Sequence, residues 1–318
     1  MYQVMRKNIV TTLVEKRKHV YKNLAGYEKQ SFPGLVYFYD SDLRDLSSSI
    51  SAYLENSLEA FYGKKFSIKT DEDLENHTLE ILQLPNVTPN GAILPKNETA
   101  SFLNNAQTEV IKILDNHNIS EHIEKLMCIH VMIKAPCQSV DTQNRPYYTG
   151  KIHSDAWVGH HGDAIFMAGV LGDIEGSTVE YFEPIRPNSD FLTISSNFNE
   201  AHKRYFDKRY IGKMENSKLI AMDHACLHRT KFELNSRTRI SINFGVLMKS
   251  TFSHENSVEV IERFGESYFT IDKLRRVGKD LTLFVDETFY QCEQKFKNGD
   301  IEVQSLPNNG IVLKEKYV

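Results

Sequence analysis

The chain has 318 residues, long enough for one large domain or two small ones, and its 41% hydrophobic and 25% charged residues are ordinary for a globular protein with a sizeable core. A net charge of −4 and a pI near 6.3 give no reason to expect nucleic acid or an anionic membrane as a partner. Four widely spaced cysteines argue against a zinc ribbon or disulfide framework, and neither a signal peptide nor a membrane span is expected, so a cytoplasmic location is predicted.

The amino-terminal part of the chain, residues 1–126, is predicted to be mainly helical. Apolar residues recur at three- and four-residue steps from Leu43 to Phe61, and again from Phe102 to Leu114. The segment from Leu84 to Asn97 contains three prolines and a glycine, which indicates a loop between the two helices. Ser120 to Met127 is interpreted as the end of a helix.

The pattern changes near Met127 to short β-rich segments separated by Gly, Pro, Asn and Asp, which favours an antiparallel sandwich or barrel over residues 127–249. Within it, Asn197 to Asp207 is predicted to be helical, as part of an insertion near 197–213. The carboxy-terminal extension, 250–318, is predicted to contain helices and then strand and turn. No linker divides the chain, so a single domain is predicted. The segments predicted as strands are Cys128–Lys134, Tyr148–Asp155, Ala164–Leu171, Ser177–Phe182, Lys218–Met222 and Thr238–Met248, and the carboxy-terminal helices are Ile271–Val277 and Thr282–Lys295.

A His-x-Asp pair at His153 and Asp155 is the first element of a candidate metal site. The pattern is weak by itself, because it recurs at His161 and Asp163, but glycines surround that second copy and indicate a turn. Residues two apart in a strand share a face, so Lys151, His153 and Asp155 are predicted to point the same way at a strand end.

A second histidine ligand is expected farther along the chain, at His224 or His228. We prefer His228 because it stands eleven residues before Arg239, a cation at the start of another predicted strand. Cys226 lies close by, but a soft thiolate ligand is not needed here. Two nitrogen ligands and one oxygen ligand suit Fe(II) with coordination positions left open.

The segment from Arg237 to Phe244 alternates polar and apolar residues. Arg237, Arg239, Ser241 and Asn243 fall on one face of a strand, and β-branched and aromatic residues fall on the other. The polar face is either exposed to solvent or lines a polar cavity. In a cavity, the planar guanidinium of Arg239 would suit a carboxylate, because it donates two parallel hydrogen bonds.

The set His153-x-Asp155, His228 and Arg239-x-Ser241 resembles the signature of the Fe(II)/2-oxoglutarate-dependent oxygenases. The wider context, His153-Ser154-Asp155-Ala156-Trp157 with the later His228-Arg229-Thr230, is similar to the phytanoyl-CoA dioxygenase-like branch, which includes hydroxylases of small metabolites and of antibiotic biosynthesis. The resemblance covers roughly residues 127–248.

This resemblance implies a double-stranded β-helix, or jelly roll, with Fe(II) held by His153, Asp155 and His228. The co-substrates would be 2-oxoglutarate and O2, with the distal carboxylate of 2-oxoglutarate at Arg239, assisted by Thr230 or Ser241. A lysine on an earlier strand often helps in this branch, and either Lys134 or Lys151 is a candidate. Because Asp155 is kept, hydroxylation or a related oxidation is favoured over halogenation.

The substrate is expected to be a small polar molecule, and basic residues between 203 and 213 slightly favour an acidic one. Oligomeric state is not readable from the sequence. Two alternatives remain open: a jelly-roll protein that binds a ligand without catalysis, and a cupin-type metal-dependent isomerase or hydrolase. The residues considered for the substrate pocket are Trp157, Tyr148, His160 and Arg237; for Trp157 and Tyr148 a packing role is an equal alternative.

Overall fold

The computed structural model describes residues 35–39, 43–96, 98–138, 145, 147–158, 164–185, 197–199, 207–223, 226–249, 268–277, 301–305 and 311–315. The helices are α1 (Leu43–Tyr62), α2 (Asp71–Asn76), α3 (Thr78–Leu82), α4 (Ala100–Asn116) and α5 (Ile271–Val277). The strands are β1 (Leu35–Tyr39), β2 (Ala92–Ile93), β3 (Ile123–Met127), β4 (His130–Lys134), β5 (Ala164–Gly172), β6 (Ser177–Pro184), β7 (Lys208–Lys213), β8 (Lys218–Met222), β9 (Leu227–Phe232), β10 (Arg239–Met248), β11 (Tyr268–Thr270), β12 (Ile301–Ser305) and β13 (Ile311–Glu315).

Two antiparallel sheets organise the middle of the chain. The larger sheet has the order β1-β8-β5-β10-β3-β11, with β4 also paired to β10 and β2 paired to β4. The smaller sheet has the order β7-β6-β9, and a backbone bridge between His153 and His228 adds a short segment beside β9. Strands β12 and β13 pair only with each other within the described residues.

The path of the chain between these sheets is that of a double-stranded β-helix. From β4 onward the chain runs through the larger sheet, the bridge at His153 in the smaller sheet, β5 in the larger, β6 and β7 in the smaller, β8 in the larger, β9 in the smaller and β10 in the larger. The predicted mainly β fold, with a jelly-roll core and flanking helices, is confirmed.

Successive side chains of a strand point to opposite faces of the sheet, so the buried apolar residues form two separate clusters, one on each face of the larger sheet. One face of the larger sheet packs against the amphipathic helices α1 and α4, and the opposite face packs against the smaller sheet. The first cluster includes Leu46, Ile50, Leu54, Val110, Leu114, Ile240, Ile242 and Phe244, and the second includes Ile165, Met167, Val179, Tyr181, Ile220 and Met222. Of the helices in the described ranges, none combines the length and the apolar character needed to cross a membrane.

Several local predictions were wrong. Ile123–Met127, interpreted as a helix end, is a strand after a single 3-10 turn. Lys208–Lys213, for which neither helix nor strand was predicted from the sequence, is an edge strand. Tyr148–Asp155 is not a continuous strand: only His153 bridges to β9, and Asp155 begins a 3-10 turn. These segments are short and take their conformation from neighbouring strands, which local pattern does not report.

The prediction of a helix at Ile271–Val277 matches α5, and the tail contains the predicted strands as the β12–β13 hairpin. The predicted helix at Thr282–Lys295, most of the segment Asn197–Asp207, the pair His161 and Asp163, and His224 lie outside the described residues.

Gly172, at the end of β5, provides a test of the packing next to β10. Its φ is +80°, and an added Cβ would lie 2.1 Å from the carbonyl oxygen of Thr238. Gly63 has a similar φ of +68° but nothing within 4 Å of an added Cβ. The left-handed backbone alone costs an alanine about 1–2 kcal/mol, and the clash adds about 1–3 kcal/mol. We therefore expect Gly172→Ala to lower the free energy of unfolding in urea clearly more than Gly63→Ala; equal losses would contradict this account.

Candidate metal and anion site

Three side chains with metal-ligating atoms converge between the two sheets. The ligand atoms of His153, Asp155 and His228 all lie within 4.8 Å of one another. The carboxylate oxygen Oδ1 of Asp155 is 3.9 Å from Nε2 of His153 and 3.5 Å from Nε2 of His228. Within the described ranges this is the group of His, Cys, Asp and Glu residues whose geometry could hold a metal ion. It is therefore a candidate metal centre with one oxygen and two nitrogen ligands.

The backbone orients the two histidine rings through the same kind of contact. His153 and His228 exchange both main-chain hydrogen bonds, at 3.0 and 2.8 Å, which brings the first candidate ligand to the strand of the second. Nδ1 of His153 lies 2.7 Å from the carbonyl oxygen of Lys151, and Nδ1 of His228 lies 3.0 Å from that of Cys226. A carbonyl oxygen only accepts, so each Nδ1 carries a proton, and each ring in its neutral form has its lone pair on Nε2.

Burial keeps the first histidine neutral. The side chains of His153 and His228 are 4% and 6% exposed, and that of Asp155 is 16% exposed. Burial, followed by the repulsion of His228, lowers the pKa of His153 to about 3. A neutral imidazole is the form that binds a metal ion, so this ligand needs no deprotonation at neutral pH.

An aromatic side chain covers one side of the cluster. The ring of Phe198 is stacked on that of His153, with centroids 4.2 Å apart and an interplanar angle of 18°, and Tyr147 contacts Phe198 edge-on at 5.4 Å. Phe198 is buried. These contacts restrict the orientation of the His153 ring and keep water from that side of it.

A buried cation lies on the face of β10 that is turned towards the smaller sheet. Arg239, the first residue of β10, is 1% exposed, and its Nη1 donates to the carbonyl oxygen of Ser177 at 2.5 Å. Among the described residues no carboxylate forms an ion pair with it, and its buried Nε–H has no partner. Burial lowers the pKa of Arg239 to about 10, so the side chain remains charged at neutral pH. A buried charge of this kind calls for an anionic ligand.

Lys134 stands beside Arg239, whereas Lys151 does not. The two residues Lys134 and Arg239 are direct partners in the β4–β10 register, so both side chains lie on the same face. Lys134 is buried, and its Nζ donates to the carbonyl oxygen of Asn90 at 2.6 Å and to Oγ1 of Thr149 at 2.8 Å. Nζ of Lys151 instead donates to the carbonyl oxygen of Arg145 at 3.1 Å.

The two hydroxyl candidates lie on the strands of the site. Thr230 follows His228 by two residues on the same face of β9, and Ser241 follows Arg239 by two residues on β10. Both are buried. On the neighbouring strand β5, the register partners of Arg239 and Ser241 are Gly172 and Gly169. The polar face of β10 therefore faces the interior of the jelly roll rather than solvent.

The pH dependence of stability provides a test of the environment of Lys134. Burial, with the repulsion of Arg239 and Arg145, lowers its pKa from 10.5 to about 7. Below pH 7 both the folded and the unfolded lysine are protonated, and the cost of burying the cation is fully present. Between pH 7 and 10.5 only the unfolded lysine is protonated, so its contribution to stability rises with pH, by at most about 1.4 kcal/mol per pH unit.

We therefore expect Lys134→Met to be more stable than the wild type at pH 6, with the difference shrinking at pH 9. Thermal unfolding of both proteins across this range measures it, and Lys151→Met is the control. A difference in melting temperature that does not change with pH would contradict the assigned environment.

The remaining candidates for the substrate pocket differ in how deeply they are buried. Trp157 is fully buried in the 3-10 turn after Asp155. Tyr148 is half-buried against Gly150, and burial raises its pKa. Arg237 is exposed in the turn before β10, where its backbone N–H donates to Asp173, so it does not share the buried face of Arg239. His160 lies outside the described residues.

Two contributors to the site were not singled out from the sequence. Thr149 accepts the Lys134 ammonium with its hydroxyl, and its carbonyl oxygen accepts the N–H of Thr230 at 2.8 Å, so it connects β4 to β9. Phe198 lies in the segment Asn197–Asp207, for which only a helix was predicted. No local signal marks either residue, because both act through partners that are distant in sequence.

Comparisons with known proteins add little to this picture. No family model and no curated protein matches the chain. Among solved structures, the chain is similar to the non-heme alpha ketoglutarate dependent epimerase SnoN from nogalamycin biosynthesis, with 8% identity over 71% of this chain and 82% of that one and a TM-score of 0.38. It is also similar to the carbocyclase SnoK of the same biosynthesis, with 8% identity over 68% and 79% and a TM-score of 0.37.

A third likeness is to a nickel complex of the non-heme monooxygenase ThoJ, with 12% identity over 67% of this chain and 74% of that one and a TM-score of 0.31. Likenesses this remote carry no argument about this chain. Its chemistry has to be inferred from its own residues.

Proposed function

We propose that this protein is a non-haem Fe(II)- and 2-oxoglutarate-dependent oxygenase that hydroxylates, or otherwise oxidises, a C–H bond of a small polar metabolite. Succinate and CO2 would be the co-products. The observation that carries the proposal is the pairing, inside one jelly roll, of a two-histidine, one-carboxylate cluster with a buried guanidinium that no described carboxylate neutralises.

The donor set fits Fe(II). The carbonyl oxygens of Lys151 and Cys226 hold the Nδ1 protons, so each neutral ring offers its Nε2 to a metal ion, and the carboxylate of Asp155 supplies the hard oxygen ligand. Three protein ligands leave positions for a chelating co-substrate and O2. Iron bound there supplies the redox chemistry that couples oxidation of the keto acid to oxidation of the substrate.

The cations fit the distal carboxylate of 2-oxoglutarate. Arg239 would donate to it through its guanidinium, and Lys134, its register partner, would add a second positive charge. Along β6, Ser177 accepts the Arg239 guanidinium and Tyr181 is the register partner of His228. Four residues of strand correspond to roughly 13 Å, so we infer that the cation and the metal cluster lie at different levels of the interior between the two sheets. A linear dicarboxylate bound at one end to metal and at the other to Arg239 would bridge them.

Hydroxylation is proposed over halogenation because Asp155 would occupy the coordination position that a halide needs. The described residues near the cluster include the aromatic ring of Phe198, with Tyr147 packed against it, and they contain no second carboxylate-binding feature of the kind seen at Arg239. A small molecule with apolar and polar parts is therefore proposed, without a named compound.

One experiment separates this function from the two alternatives. The protein is titrated with Fe(II) and 2-oxoglutarate without oxygen, and succinate is then measured in air with a panel of small metabolites. A metal-to-ligand charge-transfer band followed by succinate is expected. Ligand-dependent stabilisation without succinate would indicate a binding protein, and metal-dependent turnover that needs no keto acid would indicate an isomerase or hydrolase.

A further inference from the structure

Two short amino-terminal helices contact the backbone around Arg239. Oδ1 of Asp71, at the start of α2, accepts the N–H of Gly172 at 2.9 Å, and Oε2 of Glu75 accepts the N–H of Thr238 at 2.8 Å. At the start of α3, Oγ1 of Thr78 lies 2.6 Å from Oγ1 of Thr238. We call these three residues, Asp71, Glu75 and Thr78, the α2–α3 clamp.

The two backbone positions held by the clamp are the immediate neighbours of Arg239. Thr238 precedes it in the chain, and Gly172 is its register partner on β5. The carbonyl oxygen of Thr238 also accepts the N–H of Asp173 at 2.9 Å, which ties the two positions to each other. The clamp therefore acts on both sides of the residue whose side chain enters the interior.

The clamp is not needed to form the helix that carries it. Helix α2 begins with a complete capping box, in which Thr70 accepts the N–H of Asp73 and Asp73 accepts that of Thr70. The carboxylates of Asp71 and Glu75 instead reach outward to another element. Hydrogen bonds to an ionised acceptor are roughly twice as strong as neutral ones, so they suit the fixing of a strand end.

We propose that the α2–α3 clamp positions Arg239 for its anionic ligand. It holds the first residues of β10 against the end of β5, and so directs the guanidinium towards the interior. None of the three residues touches the metal cluster, so they are positioning residues. The inference gives a role to an amino-terminal region that the resemblance to oxygenases does not cover, and its ligand-binding part rests on the proposed function.

Glu75→Ala and Thr78→Val remove parts of the clamp, and Glu72→Ala is the matched control, because Glu72 is an exposed carboxylate on the same helix with no described contact to β10. For both clamp variants we expect the dissociation constant of 2-oxoglutarate to rise by about fivefold to tenfold. The affinity for Co(II), measured in its visible spectrum, and kcat at saturating 2-oxoglutarate are expected to stay within about twofold of the wild type.

A merely structural role would change Co(II) affinity and kcat together with 2-oxoglutarate affinity, and that result would overturn the proposal. So would clamp variants that bind 2-oxoglutarate as the Glu72→Ala control does.

Amide hydrogen exchange tests whether the clamp stabilises the start of β10, and this test does not depend on the proposed function. In Glu75→Ala without ligand, the amides of Thr238 and Arg239 should exchange at least about tenfold faster, with no change at His228. If the wild type does not bind 2-oxoglutarate, the proposed function fails while faster exchange at Thr238 still supports the clamp. Unchanged exchange at these amides would overturn the clamp whatever the ligand proves to be.

Discussion

Asp155→Ala is expected to abolish succinate formation and to weaken Co(II) or Fe(II) binding by at least about 100-fold. Asp155 supplies the one carboxylate of the cluster, with Oδ1 at 3.9 and 3.5 Å from the two Nε2 atoms. Without it, two imidazole ligands remain, which bind a divalent ion weakly and no longer complete one face of its coordination sphere. Isothermal titration with the metal alone measures the loss without reference to any substrate.

The matched control for this change is Glu121→Ala. Glu121 is also a carboxylate beside a histidine, 3.4 Å from Nε2 of His122, but its side chain is 68% exposed and it belongs to no described metal cluster. Its removal is expected to leave metal affinity and folding unchanged. If Asp155→Ala bound metal as tightly as this control, the cluster would not be the metal centre and the proposed function would lose its basis.

Arg239→Met is expected to weaken 2-oxoglutarate binding by about 100-fold or more while metal affinity stays near that of the wild type. The guanidinium is buried and is the proposed partner of the distal carboxylate, so its loss would remove the two parallel hydrogen bonds and leave only Lys134 as a cation beside that carboxylate. Arg237→Met is the matched control, because Arg237 is exposed two residues earlier and has no described role in the cavity.

Stability distinguishes a binding role of Arg239 from a structural one. No described carboxylate pairs with this cation, so replacing it by an apolar side chain of similar length is expected to leave the melting temperature of the ligand-free protein unchanged or to raise it. A large loss of stability together with unchanged 2-oxoglutarate binding would contradict the assignment and would make Arg239 part of the folding core.

Sequence patterns predicted the strands that are buried and regular. Ala164–Gly172 and Arg239–Met248 are long enough for alternation and β-branched content to be read locally, and both form as strands. The pattern failed at Ile123–Met127 and at Lys208–Lys213, which become strands because a neighbour offers a hydrogen-bonding edge. The pattern also predicted a continuous strand around His153, where the structure has a single backbone bridge to His228.

The sequence by itself determined which metal-binding and anion-binding side chains the protein has. Imidazole, carboxylate and guanidinium have characteristic ligand preferences, and their order along the chain, together with the resemblance to the oxygenases, led to the prediction of His153, Asp155, His228 and Arg239. Only the tertiary structure decided how they meet. The bridge across 75 residues, the carbonyl oxygens that orient each ring, and the choice of Lys134 over Lys151 beside Arg239 all depend on strand register. Register is set by pairing between distant segments, which no local pattern encodes.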